Sequence, residues 1–205
     1  MSPRLLLATN NAGKVREYQA LLRGVPFELV TPAQVGITRV VEETGATLEE
    51  NAILKARACA QAGNLLALAD DSGLFVDALG GEPGVRTARY AGENASDAER
   101  NAYLLRKLEG MAWERRTARF RCVIAIATPD GLVDVCQGYV DGIIAIQPRG
   151  DRGWGYDPVF YQPGLGKTMG ELAPSAKNRL SHRGRAVRKA RAVLRIWAEW
   201  LSNER

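Results

Sequence analysis

Asp70-Asp71 is the pair whose placement in this sequence most needs a chemical reason. Adjacent carboxylates repel each other, and at the mouth of a core strand they stay ionised only where a cation or hydrogen-bond donors compensate. Magnesium suits that role, because it takes oxygen ligands, commonly one or two carboxylates together with substrate phosphates and waters. Glu42 or Glu43, in a preceding polar loop, can supply a further oxygen. Successive strand residues point to opposite faces, so one of the two aspartates is expected to be the ligand. The plainer alternative is an Asp-Ser-Gly turn through Asp71, Ser72 and Gly73 with solvated acids.

Thr9-Asn10-Asn11-Ala12-Gly13-Lys14 places hydroxyl, amide, glycine and ammonium groups where a helix begins. Free backbone N–H groups and the helix dipole favour phosphate at such a point. It is not a Walker A loop, since Ala8 stands at the first glycine position and Val15 follows the lysine. A capped helix with a surface lysine would leave the same signature. Gly166-Lys167-Thr168 has the closing residues of a Walker A loop, but Tyr161 occupies its first glycine position and Pro163 interrupts it, so it is read as a decoy.

Gly153-Trp154-Gly155-Tyr156-Asp157-Pro158 sets an indole between glycines, which lets backbone approach a flat ligand while the ring stacks on it, or serves ordinary packing. Ser181-His182-Arg183 holds the sole histidine of the chain, which argues against a multi-histidine metal site. Arg183 there could read carbonyl oxygens or phosphate with Ser181 as cap, or belong to a solvated basic face.

These groups need elements to carry them. A buried strand from Arg4 to Ala8 precedes the polar turn, and a helix from about Gly13 to Leu22 follows, with Val15, Tyr18, Leu21 and Leu22 at helical spacing. A short strand spans Phe27 to Val30. Thr47-Leu48-Glu49-Glu50 reads as a capping box for a helix that stops at Gly63. Leu65 to Ala69 reads as a central strand ending at the two aspartates, with extended structure resuming from Leu74 to Leu79. Ser96-Asp97-Ala98-Glu99 caps a further helix ending at Gly110. Thr117 to Thr128 reads as a strand covered on both faces, and Pro129-Asp130-Gly131 turns it into an antiparallel return, which makes the sheet mixed. Turns dominate from Pro148 to Gly170. A closing helix from Ser181 to Leu201 carries an apolar stripe of Val187, Ala190, Leu194, Trp197 and Leu201.

A chain of 205 residues is long enough for one α/β domain, with two lobes around a cleft, and for a substantial core. Its start, Met1-Ser2-Pro3-Arg4 and then an apolar run only to Ala8, has neither a signal-peptide core nor the length of a membrane span, so a soluble cytoplasmic protein is expected. Cys59, Cys122 and Cys136 are widely spaced and odd in number, which argues against a disulfide framework and a structural zinc site. The net charge is +5, and Arg179, Arg183, Arg185, Arg188, Lys189, Arg191 and Arg195 crowd the C-terminal part. That bias suggests an anionic partner, a nucleotide or a nucleic acid. Acids in a nucleic-acid groove would oppose phosphate, so Asp70-Asp71 favours the nucleotide.

Taken together the segments resemble the inosine triphosphate pyrophosphatase family, the dITP/XTP pyrophosphatases. The residues 9–14 turn, Glu42-Glu43-Thr44-Gly45, Asn51-Ala52-Ile53-Leu54-Lys55-Ala56, Ala69-Asp70-Asp71-Ser72-Gly73-Leu74, Arg89-Tyr90-Ala91-Gly92, Gly155-Tyr156-Asp157-Pro158, Lys177 and Ser181-His182-Arg183-Gly184 occur in the family's order across nearly the whole chain. The resemblance implies cleavage of a purine nucleoside triphosphate between its α and β phosphates. It implies an elongated α/β domain over residues 1–205, with a long curved mixed sheet, a cleft between two lobes, and a homodimer. Thr9, Asn10, Asn11, Ala12, Gly13, Lys14 and Lys55 are implied as triphosphate binders, Glu43 and Asp71 as magnesium carboxylates, and Asp71 as the base. Ser72, Trp154, Gly155, Tyr156, Asp157, Lys177, His182 and Arg183 are implied as substrate contacts. Trp154 departs from the phenylalanine of many relatives; stacking survives the exchange, with a differently shaped pocket. No stable nucleic-acid partner and no membrane are expected.

Overall fold

Three consecutive leucines, Leu5 to Leu7, are buried on both faces of the first strand, the mark of a central parallel strand. The structure, a computed structural model, describes residues 2–38 and 41–203. Strand β1 (Arg4–Leu7) pairs in parallel with β2 (Glu28–Val30) and with β3 (Leu66–Val76). Between them run helices α1 (Ala12–Leu21) and α2 (Leu48–Gly63). Thr47 and Glu50 satisfy both halves of the expected capping box. Gly63 lies inside α2 rather than beyond it, because a Cβ there would press on Leu6 Cδ2 at 3.1 Å and Ile37 Cδ1 at 3.3 Å. The left-handed turn falls instead to Asn64, φ 46°, a conformation asparagine tolerates.

Strand β3 differs most from expectation. It does not end at Ala69 but continues for eleven residues through Asp70-Asp71-Ser72-Gly73 to Val76, followed by a single 3-10 turn at Asp77–Leu79. Carboxylates interrupt a strand only when nothing compensates them, and here cationic side chains do. Gly73 serves a close approach: a Cβ would stand 2.5 Å from the Gly84 carbonyl oxygen of strand β4 (Pro83–Gly84), which pairs antiparallel with β3.

Helix α3 (Asp97–Lys107) carries the full Ser96/Glu99 capping box and stops three residues short of Gly110. Strand β5 (Thr117–Ala127) is covered on both faces only from Cys122 onward; Thr117, Arg119 and Arg121 are exposed alternately before it. Five residues join it to β6 (Val133–Ile144), a connection too short for anything but antiparallel pairing. Strands β7 (Phe160–Gln162) and β8 (Lys167–Thr168) continue antiparallel. Lys167-Thr168 is therefore strand, and the Walker-like decoy has no phosphate-loop geometry. Helix α4 (Pro174–Leu180) lies in a stretch to which the sequence reading assigns no element, and α5 (His182–Asn203) follows it.

The sheet is mixed, in the order β2-β1-β3-β5-β6-β7-β8, with β4 on β3. The chain forms two compact units. The first comprises the chain up to Asp71, Cys122–Gly138 and the chain from Arg183. Its core joins Leu5, Leu7, Leu68, Ile124 and Ile126 to the expected α5 stripe of Val187, Ala190 and Leu194. The second comprises Ser72–Arg121 and Tyr139–His182, with a core of Leu74, Leu104, Phe120, Tyr156 and Phe160. Cys59, Cys122 and Cys136 are buried, and none of the three is in a disulfide. Among the described residues no helix is long and apolar enough to cross a membrane.

Candidate active site

In the first unit the neighbouring aspartates of β3 face different partners, as strand alternation requires. Asp71 Oδ1 lies 2.9 Å from Lys55 Nζ, and the same ammonium donates to Glu43 Oε1 at 2.7 Å. Asn51, one turn before Lys55 on α2, donates to Asp71 Oδ2 at 3.4 Å and accepts from the Gly45 N–H at 2.8 Å, which ties the Glu43 loop to the same helix face. Asn51, 1% exposed, was not singled out from the sequence; its spacing from Lys55 was the available signal. Glu42 points elsewhere, into a cavity of about 600 Å³ that it lines with Ile37, Val41, Ala58 and Cys59.

Asp70 is a buried hub. Its Oδ1 is 2.9 Å from Lys14 Nζ, and its Oδ2 accepts from Arg183 Nη2 at 2.8 Å and Nε at 3.2 Å. Arg183, 1% exposed, also donates to Glu17 Oε2 at 2.6 Å. Its guanidinium is thus enclosed in the protein rather than turned to solvent. Arg191 likewise donates to the carbonyls of Leu21 and Arg23, so two members of the basic C-terminal run hold α5 against the α1 region.

The charge balance separates the two aspartates. Burial would raise the Asp70 carboxyl, but Lys14, Arg183 and Lys55 outweigh it and hold the group well below the usual carboxylate range. Burial pushes Asp71 up; Lys55 opposes this, Glu43 adds to it, and the net shift is upward. Lys55 is lowered by burial but raised overall by Asp71 and Glu43. An isolated surface ion pair would depress its acid; Asp71 does the opposite because burial outweighs Lys55, with Glu43 adding to the upward shift.

Two carboxylates that meet at one ammonium fit a divalent cation whose coordination is completed by substrate oxygens. Among the described residues no group of three or more His, Cys, Asp or Glu side chains is arranged to hold a metal alone. The 9–14 turn has the form of an anion cradle: Thr9 Oγ1 accepts from the Asn11 N–H at 3.2 Å, and Asn11 Oδ1 accepts from the Lys14 N–H at 3.0 Å. With Asn11 as cap, the first-turn N–H groups of Ala12 and Gly13 have no partner within the helix, and Asn10 is exposed beside them. Lys14 leans onto Asp70 instead of standing free on the surface.

In the second unit the glycine loop is held from inside. The Trp154 N–H donates to Asp157 Oδ2 at 2.9 Å, and Asp157, 4% exposed, is ion-paired to the buried Lys177 of α4. The Lys177 ammonium lies 5.7 Å from the Trp154 ring centroid. Tyr156 turns into the core and donates to the Thr87 carbonyl at 3.0 Å. His182 stacks on Phe120 at 4.6 Å and 11°, and Ser72 is half-buried on β3. The structure therefore gathers Glu43, Lys55 and Asp71 in one group, Lys14, Asp70 and Arg183 in a second, and Trp154, Asp157 and Lys177 in a third.

Gly153 has φ 84°, and a Cβ there would stand 2.2 Å from Asp157 Oδ2. Gly153→Ala is expected to displace that carboxylate from Trp154 and Lys177 and lower unfolding free energy by about 1–3 kcal/mol. Urea unfolding checks this, and an unchanged midpoint contradicts it.

A mixed α/β sheet that carries a carboxylate cluster, with a capped helix start, defines a protein suited to phosphate chemistry. The chain belongs to the Ham1 family, which it matches over residues 5–193. A dITP/XTP pyrophosphatase of Geobacillus kaustophilus is 51% identical over 185 residues, 90% of this chain and 91% of that protein. One from Geobacter sulfurreducens is 52% identical, with 90% and 92% covered. Among solved structures, a HAM1 protein from Coxiella burnetii superposes with a TM-score of 0.86 at 44% identity, covering 94% of this chain and 98% of its own. A nucleoside-triphosphatase, or dITP/XTP pyrophosphatase, from Mycobacterium abscessus gives 0.73 at 41% identity, with 91% and 97% covered. The family resemblance and the mixed α/β fold expected from the sequence both hold.

Proposed function

We propose that this chain hydrolyses the abnormal purine nucleotides dITP, ITP and XTP to the monophosphate and pyrophosphate, which cleanses the nucleotide pool. It is a nucleoside-triphosphate pyrophosphatase. The observation that carries the mechanism is the single Lys55 ammonium shared by Glu43 and a buried Asp71 whose carboxyl is pushed upward. A buried carboxylate held in place by Lys55 and Asn51 is suited to accept a proton from a positioned water. Asp71 takes a proton from water, the water oxygen bonds to phosphorus, and the α–β anhydride bond breaks, with pyrophosphate leaving.

Lys55, Lys14 and the N–H groups of Ala12 and Gly13, with Thr9, Asn10 and Asn11, grip the triphosphate and offset charge on the leaving group. Magnesium, held by Asp71 and Glu43, neutralises phosphate charge when bound. The Trp154 ring stacks on the purine, and Ser72, Gly155, Asp157, Lys177 and His182 complete the recognition of a 6-keto base. Tyr156 and Arg183 act from within the protein, through Thr87 and Asp70. A site built to donate to a 6-keto oxygen leaves buried groups unpaired against adenine, which is a strong basis for rejection. The whole chain is the catalytic domain, and its working form is a cytoplasmic homodimer without a stable nucleic-acid partner.

Incubation with ITP and magnesium is expected to yield IMP and pyrophosphate in equal amounts, read by chromatography. IDP with inorganic phosphate would place the cleavage at the other anhydride and sink the assignment. Removing the metal with a chelator is expected to stop turnover.

A further inference from the structure

Gly155, within the Trp154 loop, has both backbone polar groups taken by side chains of one helix. Its N–H donates to Asp97 Oδ2 at 2.6 Å, and its carbonyl accepts from Asn101 Nδ2 at 3.0 Å. Asp97 and Asn101 stand four apart on α3 and so share one face of a rigid element. Asn101 is 4% exposed, and the remaining Asp97 oxygen is ion-paired to Arg100. With the Trp154 N–H donating to Asp157 Oδ2 and the Trp154 carbonyl accepting from the Asp157 N–H at 3.3 Å, all four backbone polar groups of Trp154 and Gly155 are engaged. Gly155 itself, φ 65°, supplies permissiveness rather than rigidity, so the restraint comes from these side chains.

We propose that Asp97 and Asn101 are positioning residues that hold the Trp154 ring for the purine and so help set the preference for ITP over GTP. The inference rests on the reading of the Trp154 loop as the base holder. Small displacements of a recognition group carry large kinetic consequences. The two contacts also have fixed polarity: position 97 must accept from an N–H, and position 101 must donate to a carbonyl. A chemical test follows from that asymmetry, because Asp97→Asn keeps an accepting oxygen whereas Asn101→Asp loses the donor at nearly constant shape.

Steady-state kinetics with ITP and GTP on the full chain test it. Asp97→Ala and Asn101→Ala are each expected to raise KM for ITP about tenfold and lower the ITP-to-GTP ratio of kcat/KM about tenfold, with kcat for ITP within about threefold. Asp97→Asn is expected to restore both quantities to within about threefold of the unmodified protein, and Asn101→Asp to be as impaired as Asn101→Ala. The clamp is overturned if Asp97→Asn is as impaired as Asp97→Ala, if Asn101→Asp behaves like the unmodified protein, or if the ratio does not move. Should an alanine variant fail to fold, the isosteric pair decides alone. Trp154→Ala separates the two ideas: unchanged KM and ratio would remove the base-holding role and the clamp with it. A shift in Trp154→Ala without one in the clamp variants overturns the clamp only.

Discussion

Asp71→Asn is expected to lower turnover of ITP by about 10²- to 10⁴-fold, the range of a lost general base, while the protein stays folded. The amide matches the carboxylate in shape but cannot accept the proton from water, and it removes a charge from the proposed metal site. Stability makes the result interpretable. Burial and Glu43 raise the Asp71 pKa, so its ionised form is disfavoured in the folded state. The sign of the linkage is then opposite to the usual aspartate: stability falls as pH rises from the unfolded-state value through the raised folded value. Metal-free Asp71→Asn is therefore expected to be no less stable at neutral pH than the unmodified protein. Lys55 keeps Glu43 as partner, so no ammonium is stranded. A variant with a near-normal rate would take Asp71 out of the base role, and a large loss of stability would show that its contribution is structural.

Asp70→Asn, one residue earlier, is expected to have the reverse profile. Lys14 would lose the carboxylate it pairs with while Arg183 would keep Glu17, and breaking a buried ion pair by removing one partner costs about 3–5 kcal/mol. The Asp70 pKa is depressed in the folded protein, so its contribution is present above the unfolded value of about 3.9 and is lost as pH falls toward the folded one. Urea unfolding of the metal-free protein from neutral pH downward should show stability falling below about pH 4, with a shallower fall in Asp70→Asn. A loss below about 1 kcal/mol at neutral pH would mean that Glu17 and solvent compensate Arg183 and Lys14 without Asp70, and that Asp70 is not the scaffold charge. The pair of variants thus assigns chemistry to one aspartate and scaffold to its neighbour.

Local signals were legible in the sequence wherever they depend on neighbours a few residues apart. Both capping boxes, the Asn11-led helix start, the α5 stripe and the hairpin turn at Pro129-Asp130-Gly131 follow from short-range hydrogen bonding and side-chain period. The family motifs were legible too, because their residue types and order need no coordinates. The course of β3 was not, since an aspartate pair within a strand looks like a strand end until its compensating cations are known. Lys14 and Arg183 lie 56 and 113 residues from Asp70, and no window along the chain contains them together.

The sequence alone determined that an acidic pair, a phosphate-suited turn and an aromatic glycine loop occur in one α/β chain of the Ham1 kind. Tertiary structure alone showed how the surroundings of the two aspartates differ. Asp70 meets Lys14 and Arg183, which hold it ionised in the interior, whereas Asp71 shares the Lys55 ammonium with Glu43 and burial raises its basicity. Adjacent residues of identical chemistry diverge because a strand sends them to opposite faces, and burial then makes each face's charge balance decisive.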